Sequence, residues 1–509
     1  MSEKLQRARE FELLESGKIP EGQKPDFHFC SPVGWINDPN GFSCFRGEYH
    51  LFFQYHPYST KWGPMHWGHA KTKDFISWEL LPCAMAPDEE WDGQGCFSGS
   101  ALEDVGRQIL LYTGVRESEE GGKRLVIQTQ CVAFGDGRDF IKSEKNPAIC
   151  PDLLPEDSDR KEFRDPKIWK EGSRFYAVVG NKTKDDCGQA VLFSSEDVEN
   201  WAFETVLERG KREEGRMWEC PDFFPLDGRQ VLIASPQFME AKGLEFHNGN
   251  GTIYLVGSYD PETREFRRIV PEARAIDYGP DFYAPQTLLT PDGRRVMIGW
   301  MKSWDNDLTP EGFSWCGFMT IPRELHLKGD KLYQLPVREL ESYYGKVVET
   351  GPVVVEGGSF VYGRDPLPVP GEEKGLEIPG IRGRQFDMTV RVKAGDYRRF
   401  EIDLAADDSH KTMLYYEPVS SALTFDRTWS GGQIHDTVSS RSCYVDSRGG
   451  EIELRIVMDR YGIEVFVNGG EQAMSCLTYA DEKADRIRFG SQGRAEFEAV
   501  WRELKIEYS

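Results

Sequence analysis

Four acidic residues stand in short motifs that resemble one another and are separated by long stretches of chain. They are Asp38 in WINDPNG, Asp165 in EFRDPKIW, Glu219 in MWECPDFF and Asp281 in GPDFYAPQ, and Ser98 takes the same place in GCFSGSA. Each motif joins aromatic residues to a turn-forming Pro or Gly. Carboxylates that converge repel one another and lose solvation, so a group of them indicates chemistry rather than structure.

The chemistry that needs such a group is cleavage of a glycosidic bond, in which one carboxyl group donates a proton and another attacks or directs water. Glu219 lies between a tryptophan and a cysteine, the most apolar setting of the four, and is the candidate acid. Asp38 lies beside Asn37 at a donor-rich turn and is the candidate nucleophile. Asp165 follows Arg164, whose charge favours a lowered pKa and an anionic acceptor for sugar hydroxyls.

Apolar runs follow the motifs at a regular interval. They are YHLFFQY from Tyr49, QILLYTG from Gln108, RFYAVVG from Arg174, QVLIASP from Gln230 and RVMIGWM from Arg295. A period of roughly 60 residues, repeated five times, is typical of a radially repeated β architecture. We therefore predict an all-β chain with a five-bladed β-propeller, in which the motifs begin the inner strands and point into one axial funnel. An evenly spaced antiparallel sandwich is the alternative for this region.

The domain boundaries follow from changes in this pattern. Residues 1–22 predict a helical segment, with Leu5, Ala8, Leu13 and Leu14 for packing on a neighbouring domain or second subunit. The propeller takes residues 23–335 and a short helical linker 336–347. Period-two alternation over 348–509 predicts a β-sandwich.

Composition restricts the class of protein and its location. A net charge of −23 over 509 residues argues against nucleic acid as a partner. The sequence shows neither a signal peptide nor an apolar run that spans a bilayer, and its eleven cysteines are scattered. These observations favour a cytoplasmic protein with free thiols, not associated with membranes, and a homodimer is an open possibility.

Four ordered blocks carry a resemblance to a known family: WINDPNG, FSGS at 97–100, FRDP at 163–166 and WECPD at 218–222. They resemble the signature blocks of the glycoside hydrolase family 32 fructosidases, which include invertases, sucrose-6-phosphate hydrolases, inulinases and levanases. QYHP, WGPMHWGHA, GPDFYAPQ and VMDRYGIEVFVNGG extend the resemblance from about residue 28 to the end. The family's fold, a five-bladed propeller followed by a β-sandwich, agrees with the spacing.

The resemblance implies a role for individual residues. Asp38 becomes the nucleophile, Glu219 the general acid/base and Asp165 the stabiliser of the transition state. The positions that match substrate-binding residues are Asn37, Gln54, Trp62, Phe97, Ser98, Arg164, Tyr278, Asp281 and Trp300, and Trp304 competes with Trp300 for its match.

The implied activity is release of terminal β-fructofuranosyl units from sucrose, sucrose 6-phosphate or short fructo-oligosaccharides, with retained configuration. Retention predicts the carboxyl groups of Asp38 and Glu219 ~5 Å apart. We expect neither cofactor nor metal, because the spacing of His66 and His69 does not place both rings on one ligand face. A fructosyltransferase using the same intermediate and a non-catalytic carbohydrate-binding propeller are the alternatives.

Overall fold

A computed structural model describes residues 1–20, 22–120, 122–306, 311–357, 375–431, 438–446 and 448–506. In these ranges the chain forms one α-helix, α1 (Glu3–Ser16), followed almost entirely by strands. The side chain of Ser2 caps α1 by accepting a hydrogen bond from the N–H of Leu5. Leu5 and Ala8 are buried on the first propeller blade, whereas Leu13 and Leu14 are exposed.

The propeller has five blades, each an antiparallel sheet of four main strands. Blade 1 contains β1 (Gly34–Phe45), β2 (Glu48–His56), β3 (His66–Thr72) and β4 (Trp78–Met85); blade 2 contains β5 (Gly95–Asp104), β6 (Arg107–Glu120), β7 (Lys123–Gly135) and β8 (Phe140–Lys142). Blade 3 contains β9 (Ser158–Glu171), β10 (Arg174–Thr183), β11 (Gly188–Ser195) and β12 (Trp201–Arg209). Blade 4 contains β13 (Met217–Leu226), β14 (Arg229–Gln237), β15 (Ile253–Asp260) and β16 (Glu265–Arg268), with the short β17 (Arg274–Ala275) beside β15. Blade 5 contains β18 (Tyr283–Leu289), β19 (Arg295–Trp300), β21 (Arg323–Lys328) and β22 (Lys331–Pro336).

A short strand closes the ring between the last blade and the first. β20 (Trp315–Cys316) leaves blade 5 and pairs in parallel with the start of β1, with Trp315 opposite Gly34 and Cys316 opposite Trp35. The five apolar runs form the second strands β2, β6, β10, β14 and β19, and the motifs lie in or just before the inner strands. The predicted propeller is therefore confirmed.

All five inner strands carry a β-bulge at the same point of the blade. In each, the pairing with the second strand breaks for one or two residues, and those breaks contain Asp38, Ser98, Asp165, Cys220 and Ala284. A bulge bends its strand and re-aims a side chain, which is why bulges are frequent beside active sites. In the fourth motif the equivalent of Asp38 is thus Cys220, and Glu219 lies one residue earlier.

The second domain is a β-sandwich whose two sheets share the long strand β33 (Arg486–Leu504). One sheet contains β26 (Arg399–Ala406), β27 (Thr412–Glu417), β28 (Ala422–Asp426) and β29 (Ser440–Tyr444); the other contains β23 (Tyr344–Glu349), β24 (Val353–Gly357), β25 (Gln385–Val392), β30 (Ile452–Asp459), β31 (Gly462–Val467) and β32 (Gln472–Leu477). The first half of β33 pairs with β26 and the second half with β25. A turn of 3₁₀ helix, Arg338–Tyr343, connects the propeller to this domain.

Buried charges join the two domains. Arg323 of β21 is fully buried and donates from Nε to Glu464 of β31 at 2.8 Å and from Nη1 to Asp277 at 3.0 Å. The ring of His28 lies between Asp459 (3.3 Å) and Glu464 (2.9 Å). An isolated buried charge is costly, so these groups stabilise the interface only as a complete set.

Within the described ranges, the structure has no helix with the length and apolar character required to cross a membrane.

Candidate active site

The bulge of β1 places the carboxylate of Asp38 inside the propeller. Asp38 is buried and accepts hydrogen bonds from Ser98 Oγ (2.6 Å) and Asn37 Nδ2 (3.1 Å). The thiol of Cys220 lies 3.5 Å from Asp38 Oδ2. Three blades therefore contact one carboxylate, and the donors hold it in a single orientation.

Asp165 lies on the other side of the same sulfur atom. Its Oδ2 accepts from the backbone N–H of Cys220 at 3.1 Å, and the sulfur is again 3.5 Å away. Its own N–H donates to Thr113 Oγ1 (2.9 Å), and its φ of 65° is in the left-handed region. Tertiary contacts thus hold a backbone conformation that a non-glycine residue rarely adopts, and such strain is concentrated at functional sites.

Glu219 is held by polar groups from three directions. Oε1 accepts from Arg164 Nε (2.8 Å), while Oε2 accepts from Tyr283 Oη (2.7 Å) and Gln237 Nε2 (3.0 Å). The sequence-based expectation of the most apolar setting is wrong, because the carboxylate lies among donors from blades 3, 4 and 5.

The three acids act on one another electrostatically. Burial, and then the charge of Glu219, raises the pKa of Asp38 to about 6. Burial and the charge of Glu219 also raise the pKa of Asp165. Asp38 and Asp165 both lie 3.5 Å from the sulfur of Cys220, the residue after Glu219 in β13, so the three acids converge as the repeat pattern predicts.

The charge of Arg164 was expected to lower the pKa of Asp165, and this expectation is wrong. The side chain of Arg164 extends away from its neighbour in the sequence and bonds Glu219, Glu162 and Gln128. Its charge still favours an ionised Asp165, but burial and the charge of Glu219 outweigh it, so the pKa rises.

Aromatic side chains form the walls around the acids. Trp300 is fully buried and meets Trp35 edge to face at 5.8 Å between centroids, and Trp304 stacks on Trp35 at 6.1 Å. Trp62 is half exposed and contacts Phe97 at 5.9 Å. Trp300 and Trp304, the two candidates for one family position, therefore both contact Trp35. Trp300 does so from the buried side, and Trp304 from a partly exposed position.

Two further predicted residues support Asp38 and its neighbouring strand. The amide of Asn37 accepts from Trp35 Nε1 (2.8 Å) and passes a hydrogen bond on to Asp38. Gln54 of β2 is buried and donates from Nε2 to the carbonyl oxygen of Cys96 at 2.9 Å, two residues before Ser98. Both side chains position the strands that carry Asp38 and Ser98.

Two predicted residues lie elsewhere, so their assignment to the site is corrected. Asp281 precedes β18, and its Oδ2 accepts from Arg427 and from the N–H of Leu477 in the sandwich. Tyr278 donates its hydroxyl to Glu245 and its N–H to Ala473 of the sandwich. The motif GPDFYAPQ resembles the others in composition, but its bulge is at Ala284, so its acid faces the other domain.

Sequence reasoning missed several residues that contact the acids. Cys220 entered the sequence interpretation only as a neighbour of Glu219, and Tyr283 and Gln237 were not singled out. One residue of the surrounding wall was missed as well: Lys302 is buried, and its Nζ lies 4.4 Å from the centroid of the Trp35 ring and 3.7 Å from Cys316 Sγ. Tyr283 alone had a signal, since it stands in the fifth motif at the place of Glu219 in the fourth.

Among the residues that the structure describes, no three His, Cys, Asp or Glu side chains are grouped as metal ligands. His69 instead bonds His50 across a 2.9 Å contact and stacks on Phe52.

The chain is similar to known proteins in both sequence and structure. The family model described as the Glycosyl hydrolases family 32 N-terminal domain matches residues 28–336, and the model for the family's C-terminal domain matches residues 366–506. A sucrose-6-phosphate hydrolase of Bacillus subtilis is 39% identical over 510 residues, covering 97% of this chain and 98% of its own. One of Escherichia coli is 34% identical over 484 residues, 94% of each chain. A solved structure of a Bombyx mori β-fructofuranosidase mutant in complex with sucrose has 30% identity and a TM-score of 0.82 over 98% of each chain.

Converging carboxylates are the groups that cleavage of a glycosidic bond requires. The chain belongs to glycosyl hydrolase family 32.

Proposed function

We propose that this hydrolase is a retaining β-fructofuranosidase that releases terminal fructosyl units from sucrose, sucrose 6-phosphate or short fructo-oligosaccharides. The observation that carries the proposal is the convergence of Asp38, Asp165 and Glu219, from blades 1, 3 and 4, around Cys220. Relatives named sucrose-6-phosphate hydrolase and raffinose invertase align over about nine-tenths of the chain or more and support the substrate class.

Asp38 attacks the anomeric carbon while Glu219 protonates the leaving oxygen. Glu219 then acts as base and activates the water that releases fructose with retained configuration. A pKa of about 6 leaves Asp38 roughly 90% ionised at pH 7. Ser98 and Asn37 stabilise that anion, and Asp165 accepts hydrogen bonds from the fructosyl hydroxyls.

The ion pair between Arg164 and Glu219 bears on which of Asp38 and Glu219 is the nucleophile and which is the acid/base. In the free site the guanidinium bonds Glu219 at 2.8 Å, an arrangement that suits an ionised carboxylate. Glu219 is therefore ready to act as the base of the second step, and protonation for the first step requires the Arg164 contact to loosen. The reverse assignment, with Glu219 as nucleophile, is the alternative that this contact favours.

Replacing Asp38 or Glu219 tests their proposed catalytic roles. We expect Asp38→Asn and Glu219→Gln to lower kcat for sucrose at least about a thousandfold with an unchanged fold. Glu196→Gln, an exposed glutamate of blade 3, is the matched control and keeps its turnover. Near wild-type turnover in either site variant contradicts the proposal.

Trapping the intermediate separates the two assignments. Fructosyl fluoride needs little protonation of its leaving group, so Glu219→Gln accumulates a fructosyl-enzyme that mass spectrometry of its peptides can locate. Attachment to the peptide with Asp38 supports the proposed roles. Attachment elsewhere, or no attachment, rejects them.

The ~5 Å separation between the carboxyl groups remains part of the proposal, as do a cytoplasmic location and a homodimer. The exposed Leu13 and Leu14 of α1 support an interface on that helix. Light scattering of the purified protein measures the oligomeric state, and fractionation of the native cells measures the location.

A further inference from the structure

A cavity of about 190 Å³ lies between blade 4 and the sandwich, and we call it the interdomain cavity. The propeller lines it with residues of the segments 239–252 and 275–278, and the sandwich lines it with Ser440 and Arg441 of β29. Asp38, Asp165 and Glu219 are not among its lining residues. The cavity is therefore a site separate from the three catalytic acids.

Arg441 gives the interdomain cavity its chemical character. Its Nε is buried and has no hydrogen-bond partner among the described residues. A buried donor without a partner is rare in folded proteins and costs free energy, so it needs an explanation. Since Arg441 lines the cavity, its explanation is a ligand with acceptor oxygens.

The acids near Arg441 already have partners. Asp305 accepts from the N–H of Asn250 (2.8 Å) and from its side-chain amide (2.7 Å), and Asp281 is paired with Arg427. Glu245, which lines the cavity, accepts from the N–H of Ala275 (2.8 Å) and from Tyr278 Oη. Among the residues that the structure describes, no carboxylate therefore pairs directly with the positive charge of Arg441.

The other lining residues define the ligand. A guanidinium fork binds carboxylate or phosphate with two parallel hydrogen bonds, and Ser440, next to Arg441 in β29, adds a hydroxyl to the same wall. The His247 imidazole on the opposite wall already bonds the carbonyl oxygen of Asn250 at 3.0 Å. A fork and a hydroxyl together offer more donors than a carboxylate needs, and they suit a phosphate. Phe246 and Tyr278 supply ring faces of the kind that contact sugars and other rings.

The volume sets the size of the ligand. A cavity of about 150 Å³ admits one six-membered ring, so the interdomain cavity has room for one ring and its substituent. We propose that it binds a phosphorylated monosaccharide. The phosphate contacts Arg441 and Ser440, and the ring lies against Phe246 and Tyr278.

Calorimetric titration with glucose 6-phosphate tests this site. We expect the wild-type protein to bind glucose 6-phosphate more tightly than either glucose or inorganic phosphate. Arg441→Gln is expected to raise the Kd at least about tenfold, because a charge-assisted pair of hydrogen bonds is lost. Arg486→Gln, an exposed arginine of the same domain paired with Asp408, is the matched control and keeps the wild-type Kd.

The controls exclude binding at the catalytic site. Glucose 6-phosphate bound there would survive Arg441→Gln, so unchanged affinity in that variant overturns the proposal, as does absence of binding to the wild type. Equal affinities for inorganic phosphate and glucose 6-phosphate overturn the placement of the sugar ring. If Arg441→Gln fails to fold, Ser440→Ala, an exposed and milder change, must weaken binding for the proposal to stand. Sucrose turnover is measured independently, so its failure would concern the proposed function alone.

Discussion

The carboxylate of Asp38 binds a proton more readily than an ordinary aspartate, since burial and the charge of Glu219 raise its pKa to about 6. In its proposed role as nucleophile Asp38 reacts as the anion, so kcat/KM is expected to fall as the pH drops through about 6. Glu219→Gln removes one of the two causes of the raised pKa of Asp38. The acid limb of the pH–activity profile of this variant should therefore move to lower pH. Hydrolysis of fructosyl fluoride measured against pH, for both proteins, checks this.

The Glu196→Gln control should leave the acid limb in its wild-type position. An acid limb that does not move in Glu219→Gln would show that the charge of Glu219 does not act on Asp38.

Lys302 acts on Asp38 through two intervening residues. Its charge lies over the Trp35 ring, Trp35 donates to Asn37, and Asn37 donates to Asp38. Replacing it by Met removes the charge but keeps the length of the side chain. We expect Lys302→Met to lower kcat about tenfold by loosening the Asn37 amide, and to raise Tm because a buried charge costs free energy.

Kinetics and calorimetry on Lys302→Met are compared with Lys302→Arg, which should restore part of kcat. Lys170→Met is the matched control, because Lys170 also lies over a ring, that of Phe175, and pairs with Asp104 at the surface. A higher kcat, or a lower Tm with unchanged kcat, would contradict this role.

Residue types and motif order were sufficient to predict Asp38, Asp165 and Glu219 as a group. The surroundings of these acids were not predictable, because Tyr283 and Gln237 reach Glu219, and Lys302 reaches Trp35, only through the pairing of strands in blades 4 and 5. The expectation of a lowered pKa for Asp165 is wrong for a related reason. Adjacency in the sequence did not reveal where the side chain of Arg164 points.

At the scale of elements, the spacing of apolar runs predicted the second strand of every blade. The inner strands were harder, because their register depends on one bulge in each. A shift of one residue moves a side chain to the opposite face of a strand. This explains why Glu219 occupies a different register from Asp38, and why Asp281, which lies before β18, faces the sandwich.

Helix α1 docks on blade 1 through a charged residue. Glu12 Oε2 accepts from the N–H of Cys83 (3.1 Å) while Arg9 Nε donates to its carbonyl oxygen (2.8 Å), so the helix satisfies both groups of a strand residue. Burial raises the pKa of Glu12 to about 7. The protonated form of Glu12 is therefore favoured in the folded state. The stability that this proton contributes is complete below pH 4.5 and is lost as the pH rises through about 7.

Glu12→Gln keeps an acceptor for Cys83 and has no proton to lose. We expect it to be more stable than the wild type at pH 8, by up to about 3 kcal/mol, and this advantage to disappear near pH 5. Thermal unfolding at both pH values measures the difference. Glu10→Gln, on the exposed face of α1, should show no such pH dependence, and an advantage of Glu12→Gln that is equal at both pH values would reject the explanation.

At the scale of the whole molecule, His28 couples the domain interface to pH. Burial alone would lower its pKa, but the hydrogen bonds and charges of Asp459 and Glu464 outweigh burial and raise the pKa to about 9. The folded state thus binds the proton more tightly than the unfolded state. The contribution of His28 to stability is complete below pH 6.5 and lost as the pH rises through about 9, with an upper limit of about 3 kcal/mol.

We expect His28→Gln to unfold at a lower temperature than the wild type at pH 6 and the difference to shrink by pH 10. Calorimetry of both proteins across this range provides the measurement. His326→Gln, an exposed histidine of blade 5, serves as the control. A difference in Tm that is the same at pH 6 and pH 10 would mean that the proton on His28 does not stabilise the interface.

The parallel pairing of β20 with β1 also has a consequence for the order in which the protein is made. Synthesis proceeds from the N-terminus, so the strand that carries the nucleophile emerges from the ribosome long before the segment that pairs with its outer edge. A nascent chain that stops before Trp315 contains Asp38, Asp165 and Glu219 but lacks the strand that pairs with Trp35. Activity should therefore begin only after β20 has been synthesised.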